Sequence, residues 1–109
     1  MAEKTKRLRL PDYDVDGEEA YVEIRDPLYV SKKSKGFWDI VRKWQQAVRA
    51  EEAAESDDAG DELVFWFITD FNLDGVEDKR DLPSVICNAI FQQEVVSVLN
   101  PSNLRIEKA

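Results

Sequence analysis

Residues 62–71 read ELVFWFITDF, a dense apolar stretch that decides the fold class. Apart from Glu62, Thr69 and Asp70, every side chain in it is large and apolar. A segment that is apolar on nearly every side is buried between neighbouring elements, or presents one face to a partner. We predict a helix over residues 61–71, although the β-branched and aromatic side chains also suit a strand.

A helix is predicted on the N-terminal side of this stretch, near residues 34–54, with Ser34 as its N-cap. Large apolar residues recur there at i, i+4, i+7 and i+11, which is the spacing of one helical face. These residues are Phe37, Val41, Trp44 and Val48. We expect Trp44, in the middle of the stripe, to lie in the core.

A last helix is predicted near residues 83–99, with Pro83 in its first turn. One of its faces carries Leu82, Val85, Ile86, Ala89, Ile90 and Val96. Phe91, Val95 and Val98 line a second face. Two apolar faces are more than a small three-helix core requires. The second face therefore contacts a partner, or it packs against an N-terminal arm or a dimer mate.

The remaining segments are predicted to be a short strand, two termini and a loop. The alternating stretch AYVEIRDP, residues 20–27, favours a strand that Pro27 ends. Residues 1–19 are polar and predict a flexible arm, and residues 101–109 predict a C-terminal tail. The helical domain thus covers residues 20–100, with an acidic loop at about 52–61. The predicted fold class is mainly α: a small single domain of about three helices with a short N-terminal strand or extended arm.

Composition excludes several classes of function. The 109-residue chain has a formal charge of −8, which repels nucleic acids and anionic membranes, so we predict neither as a partner. It has no His and one Cys, which excludes Ser-His-Asp and Cys-His catalysis and Cys-based zinc clusters. We predict that the protein is not an enzyme, that Cys87 is a buried and inert thiol, and that the chain is cytosolic.

Residues 70–81 read DFNLDGVEDKRD and have the spacing of an EF-hand calcium loop. Loop positions one, three, five and six would be occupied by Asp70, Asn72, Asp74 and Gly75. Asp78 would fall at position nine and Asp81 at position twelve. A calcium-binding EF-hand-like module is therefore one hypothesis for the function.

Other features of the same loop disfavour calcium. Glu77 stands at position eight, where an aliphatic side chain is usual, and Asp81 is too short for the bidentate ligation that Glu provides at position twelve. Phe71 and Leu73 continue the apolar pattern into the loop, and no second loop is present. Asn, Asp and Gly also cluster in turns for conformational reasons alone. We therefore predict no specific metal site and no cofactor.

The stretch FITDFNLDGVEDKRDLPSVICNAIFQQ, residues 67–93, resembles the C-terminal region of tail assembly chaperones from long-tailed bacteriophages of Gram-positive hosts. The similar elements are an aromatic-Asn-Leu motif at residues 71–73, an Asp-Gly turn at 74–75, and Leu-Pro at 82–83. YVEIRDP, at residues 21–27, is similar to the family's opening, so the resemblance covers residues 21–99. The chain departs from the pattern at Phe71, where the family often has Trp, and in its highly charged turn.

The resemblance implies a small, non-enzymatic protein that acts in the host cell cytoplasm. It implies that the partner is the tape measure protein, a long helical chain with exposed apolar stripes, with the tail tube protein as a second candidate. A binder of such stripes needs apolar faces, and its acidic surface keeps the complex dispersed. The predicted partner-binding residues are Trp66, Phe67, Phe71, Phe91, Val95 and Val98. A third hypothesis is an inhibitor whose acidic surface mimics nucleic acid.

Overall fold

The computed structural model describes residues 4–99 and shows a three-stranded sheet packed against helices. The strands are β1 (Thr5–Arg9), β2 (Tyr21–Arg25) and β3 (Ile68–Asn72). The helices are α1 (Lys35–Arg49), α2 (Ala53–Phe67), α3 (Ser84–Ile90) and α4 (Val96–Leu99), with a π-helical turn over Phe91–Val95 that joins α3 to α4. Short 3-10 turns cover Pro11–Tyr13, Pro27–Tyr29 and Lys79–Asp81.

The sheet is antiparallel, in the order β1-β2-β3, so the predicted strand lies at its centre. Val22 and Ile24 point from β2 into the core, and neither is exposed to solvent. The alternate residues Tyr21 and Glu23 face outward, where they pair with Asn72 and Asp70 of β3, respectively. This alternation is what a half-buried strand requires, and one face of the sheet thereby becomes a wall of the core.

A single cluster of buried side chains joins this wall to the helices. Phe37 of α1 lies at its centre, with its ring centroid 4.9 Å from that of Trp66 and 5.5 Å from that of Phe67. The last helical segment contributes Ile86, Ile90 and Val95 to the same cluster. No helix within residues 4–99 is long and apolar enough to cross a membrane.

The prediction of a small domain with about three helices is confirmed, because α3, the π-helical turn and α4 follow one another without a break. The fold is more than half helical, but it is mixed α and β rather than purely helical, because a three-stranded sheet replaces the predicted short strand or extended arm. The predicted helix over residues 61–71 is wrong in both bounds, because α2 begins at Ala53 and ends at Phe67. Residues 68–72 form β3, where β-branched and aromatic side chains pair with β2.

The predicted acidic loop at residues 52–61 is also wrong, because these residues form most of α2. Three alanines favour the helix, and acidic side chains near its start interact favourably with the helix dipole. The chain turns earlier, at Glu51, which has a positive φ of 57°. Ala59 is fully buried, so the acidic N-terminal half of α2 packs against the rest of the protein.

Residues 4–19, which were predicted to be a flexible arm, include β1. Lys6 of this strand reaches the π-helical turn, where its Nζ lies 2.7 Å from Oε2 of the buried Glu94. Leu10 donates its backbone N–H to the carbonyl of Ala20 at 3.0 Å, which closes the β1–β2 connection. The predicted tail at residues 101–109, and Asn100 at the predicted domain boundary, lie outside the described residues.

The apolar stripe of α1 is confirmed in part. Phe37 and Val41 are buried, but Val48 is 49% exposed and the small Ala47 takes the buried position instead. Trp44, which was predicted to be in the core, is only half-buried and packs at the edge of it. The C-terminal half of α1 therefore leaves an aromatic ring within reach of solvent.

Candidate partner-binding groove

An open groove runs between α2 and α3, with α1 at one end, and encloses about 450 Å³. We call it the α2–α3 groove. It is lined by Trp44, Ser56, Asp57, Gly60, Asp61, Val64, Ser84, Cys87, Asn88 and Phe91. Its floor is apolar and aromatic, whereas carboxylates stand along its α2 wall. Such a combination suits a side chain or helix face that is apolar in the middle and polar at its margin.

Two half-buried aromatic rings form the floor. The ring centroids of Trp44 and Phe91 lie 6.0 Å apart with an interplanar angle of 59°. Gly60 of α2 faces both rings, and an added Cβ would lie at the ordinary van der Waals distances of 3.7 Å from Cε2 of Phe91 and 4.0 Å from Nε1 of Trp44. A long side chain at that position would occupy the space of the floor itself. The packing of the rings therefore does not require a glycine, which is unfavourable inside a helix, since a methyl group fits beside them.

The α2 wall of the groove carries Asp57 and Asp61, which are one helical turn apart. Partial desolvation raises the pKa of Asp61, and the neighbouring charges of Asp58 and Asp57 raise it further. Each of these causes acts against the ionised form. A cation bound in the groove would stabilise the ionised form of Asp61 and would offset the repulsion between the neighbouring carboxylates.

Cys87 lies at the base of the groove and is buried, as predicted. Burial raises the pKa of its thiol, and the charge of Asp61 adds to that effect. Its Sγ lies 4.0 Å from the carbonyl oxygen of Leu82, at the limit of a weak hydrogen bond. A thiol held in its neutral form is a poor nucleophile, so Cys87 serves as a small apolar side chain.

The six predicted partner-binding residues do not form one surface. Phe67 and Val95 have no exposed surface, so both are core residues that a partner does not reach in this fold. Trp66, Phe71, Phe91 and Val98 are half-buried. Among these, Phe91 lines the α2–α3 groove.

Trp66 and Phe71 are occupied by contacts with the sheet. The Arg25 guanidinium lies over the Trp66 ring, 4.5 Å from its centroid, and its Nη1 donates to the Trp66 carbonyl. Phe71 pairs with Val22 in the β2–β3 ladder. Both aromatic residues therefore stabilise the junction between α2 and the sheet, and neither lines the groove.

Sequence reasoning placed the acidic wall in a solvated loop and Trp44 in the core, whereas the structure places both at the groove. Asp57 and Asp61 were assigned to a loop, in which their separation of four residues has no meaning. In a helix the same separation places them on one face, beside Gly60. The spacing was therefore a usable signal, provided that residues 53–67 were interpreted as helical.

The residues of the EF-hand pattern have other roles. Asp70 lies on β3 and accepts a hydrogen bond from the Tyr21 hydroxyl at 3.3 Å, while Asn72 donates to the Glu19 carbonyl at 3.0 Å. Asp78 caps the following 3-10 turn by accepting from the Arg80 N–H at 2.9 Å. Within residues 4–99, no group of three or more acidic or thiol side chains is arranged to hold a metal ion.

Comparison with known proteins identified no relative, because no family model, curated protein or solved structure matches the chain.

Proposed function

We propose that this protein is a tail assembly chaperone of a long-tailed bacteriophage, and that it keeps the tape measure protein soluble in the host cytoplasm before the tail tube forms. The observation that carries the proposal is the α2–α3 groove, in which the half-buried rings of Trp44 and Phe91 form an apolar floor. The resemblance over residues 71–75 and 82–83 supports the same function, and these residues span the end of β3 and its connection to α3.

The groove has the chemistry that an aggregation-prone helical partner requires. An apolar stripe on a helix can be covered by a groove with an aromatic floor, because rigid rings bury a large apolar area at low entropic cost. The partner is then protected by contact, while the net charge of −8 keeps the complex dispersed. Neither step requires a catalytic group or a cofactor.

Co-expression with the tape measure protein tests this function. We expect the soluble fraction of the tape measure protein to rise in the presence of this chain, and the two proteins to co-elute in size-exclusion chromatography. The tail tube protein, expressed in the same way, tests the second candidate partner. An equally insoluble tape measure protein with and without this chain would show that the proposed function is wrong.

A charge placed in the groove should abolish the rescue. Phe91→Glu introduces a carboxylate on the floor, whereas Val85→Glu introduces the same charge on α3 at a position that is 72% exposed and outside the groove. We expect loss of rescue for Phe91→Glu and full rescue for Val85→Glu. Circular dichroism of both purified variants establishes that each is folded. Equal rescue by two folded variants would remove the groove as the contact surface.

A further inference from the structure

We propose that the α2–α3 groove selects helical partner segments whose apolar stripe is flanked by Lys or Arg, with the apolar side chains on Trp44 and Phe91 and the cations against Asp57 and Asp61. This inference rests on the proposed function and specifies the chemistry of the segment that is bound. It predicts that an apolar stripe alone is insufficient, and that an apolar stripe flanked by acidic residues is rejected.

Charge complementarity is the first argument. Two of the four other carboxylates of α1 and α2 have partners in the protein: Asp39 pairs with Arg42, and Oε1 of Glu62 lies 3.3 Å from Nζ of Lys43. Within residues 4–99, by contrast, neither Asp57 nor Asp61 has an ion-pair partner. Their charges face the groove uncompensated, and a carboxylate pair one turn apart repels itself. A cationic side chain on a bound helix would relieve that repulsion, whereas an anionic one would add to it.

The position of the acids relative to the aromatic floor is the second argument. Asp57, Gly60 and Asp61 line the groove from the same face of α2, so the carboxylates flank the place where α2 has no side chain. Phe91 and Trp44 fill the opposite side of that gap. A helix that lays an apolar side chain on the rings can therefore bring a Lys or Arg of a neighbouring turn near these carboxylates.

The backbone at Phe91 is the third argument. Phe91 is the first residue of the π-helical turn, a rare conformation that occurs frequently at functional sites. In the same turn, Glu94 and Val95 are buried on the side of β1 and the core. The first residue of the turn therefore lines the groove, and its last two residues are buried in the interior of the fold.

Synthetic helical peptides labelled with fluorescein provide a direct test. The first peptide has a Leu stripe at i, i+3, i+4 and i+7 with Lys on both flanks; the second replaces every Lys with Glu, and the third replaces every Leu with Ser. Fluorescence anisotropy measures the Kd of each at low salt and at 0.3 M NaCl. We expect the Leu-Lys peptide to bind at least about tenfold more tightly than either of the others, and to weaken with added salt.

A matched pair of variants separates the groove from general attraction to an acidic protein. Asp57→Asn/Asp61→Asn and Glu55→Gln/Asp58→Asn remove equal charge from α2, but only the first pair lines the groove. We expect the first double variant to weaken binding of the Leu-Lys peptide about fivefold, and the second to change it less than about twofold. Equal effects of the two double variants, or equal affinity for the Lys and Glu peptides, would overturn the inference.

The two proposals fail in distinguishable ways. If tape measure rescue depends on Phe91 but the groove has no preference for Lys over Glu peptides, the proposed function stands and the inference of a basic partner segment is wrong. If the groove prefers the Leu-Lys peptide but the tape measure protein is never rescued, the proposed function is wrong and the chemistry of the groove stands.

Discussion

Replacing Gly60 with alanine should stabilise the protein. A glycine inside a helix costs about 0.5–1 kcal/mol relative to alanine, because its backbone loses more freedom on folding. The added methyl group would lie 3.7 Å from Cε2 of Phe91 and 4.0 Å from Nε1 of Trp44, which are ordinary van der Waals distances. Neither ring has to move. We therefore expect the free energy of unfolding to rise by about 0.5–1 kcal/mol and the Tm by roughly 2–8 °C.

Urea denaturation followed by far-UV circular dichroism measures this change, with the m-value as a check that the unfolding transition is unaltered. Gly75→Ala is the matched control, because Gly75 has open space around it but a φ of +79°. Alanine at Gly75 should destabilise the protein, since that conformation is unfavourable for any residue with a Cβ. A loss of more than about 0.5 kcal/mol in Gly60→Ala would refute the reasoning, because the rings would then be packed more tightly against α2 than these distances allow.

Three further predictions concern the core and two carboxylates. Phe37→Ala should lower the free energy of unfolding by about 3–5 kcal/mol, measured by urea denaturation, because the fully buried ring leaves a cavity at the centre of the core. Asp61→Asn should raise stability at pH 7 by about 0.2–0.5 kcal/mol for each like-charged pair removed. Since the pKa of Asp61 is raised in the folded state, that advantage should fade in thermal melts as the pH falls through this pKa and the wild-type carboxyl becomes neutral. Asp14 behaves in the opposite way, because its hydrogen bond with Arg9 lowers its pKa. Asp14→Asn should therefore be destabilising above about pH 4, and its Tm should converge with that of the wild type as the pH falls through the lowered pKa.

Local pattern was sufficient to predict β2 and the start of α1, although α1 ends at Arg49 rather than near residue 54. The recurrence of Phe37 and Val41 at helical spacing, and the alternation around Val22 and Ile24, each describe how an element meets the core. Both signals are carried by side chains within a few residues of one another. Such signals are sufficient because the spacing of apolar residues within an element determines which of its faces is buried.

The pairing of β3 could not be predicted from local pattern. Residues 68–72 become a strand because β2 is available beside them, with Glu23 opposite Asp70 and Val22 opposite Phe71. That partner lies more than forty residues earlier in the chain, so no window around Phe71 contains it. The apolar run across residues 63–71 was consistent with both a helix and a strand, and the tertiary contact decided between them.

The groove was predictable only in part, for a related reason. Phe91 was selected because the last helix carries more apolar surface than one core face requires, and it does line the groove. Its acidic wall was missed because high charge and a glycine were interpreted as a loop. In the structure the same charges are compatible with a helix, since they occupy its first turns and its solvent side while Ala59 is buried.

The sheet accounts for much of the apolar surface that the sequence attributed to a partner. Three helices alone would leave Trp66, Phe67 and Phe71 without enough core to bury them. The sheet supplies that core: Phe67 is fully buried, Phe71 pairs beside Val22, and Trp66 packs under Arg25. Of the six residues first assigned to a partner, Phe91 therefore remains in a groove, and there it meets a half-buried tryptophan and two carboxylates that have no ion-pair partner within residues 4–99. In the α2–α3 groove the aromatic floor lies beside carboxylates that have no ion-pair partner within residues 4–99. An apolar partner segment that binds there would also lie next to these charges. The preference of the groove for basic over acidic segments is therefore the property that tests this surface most directly.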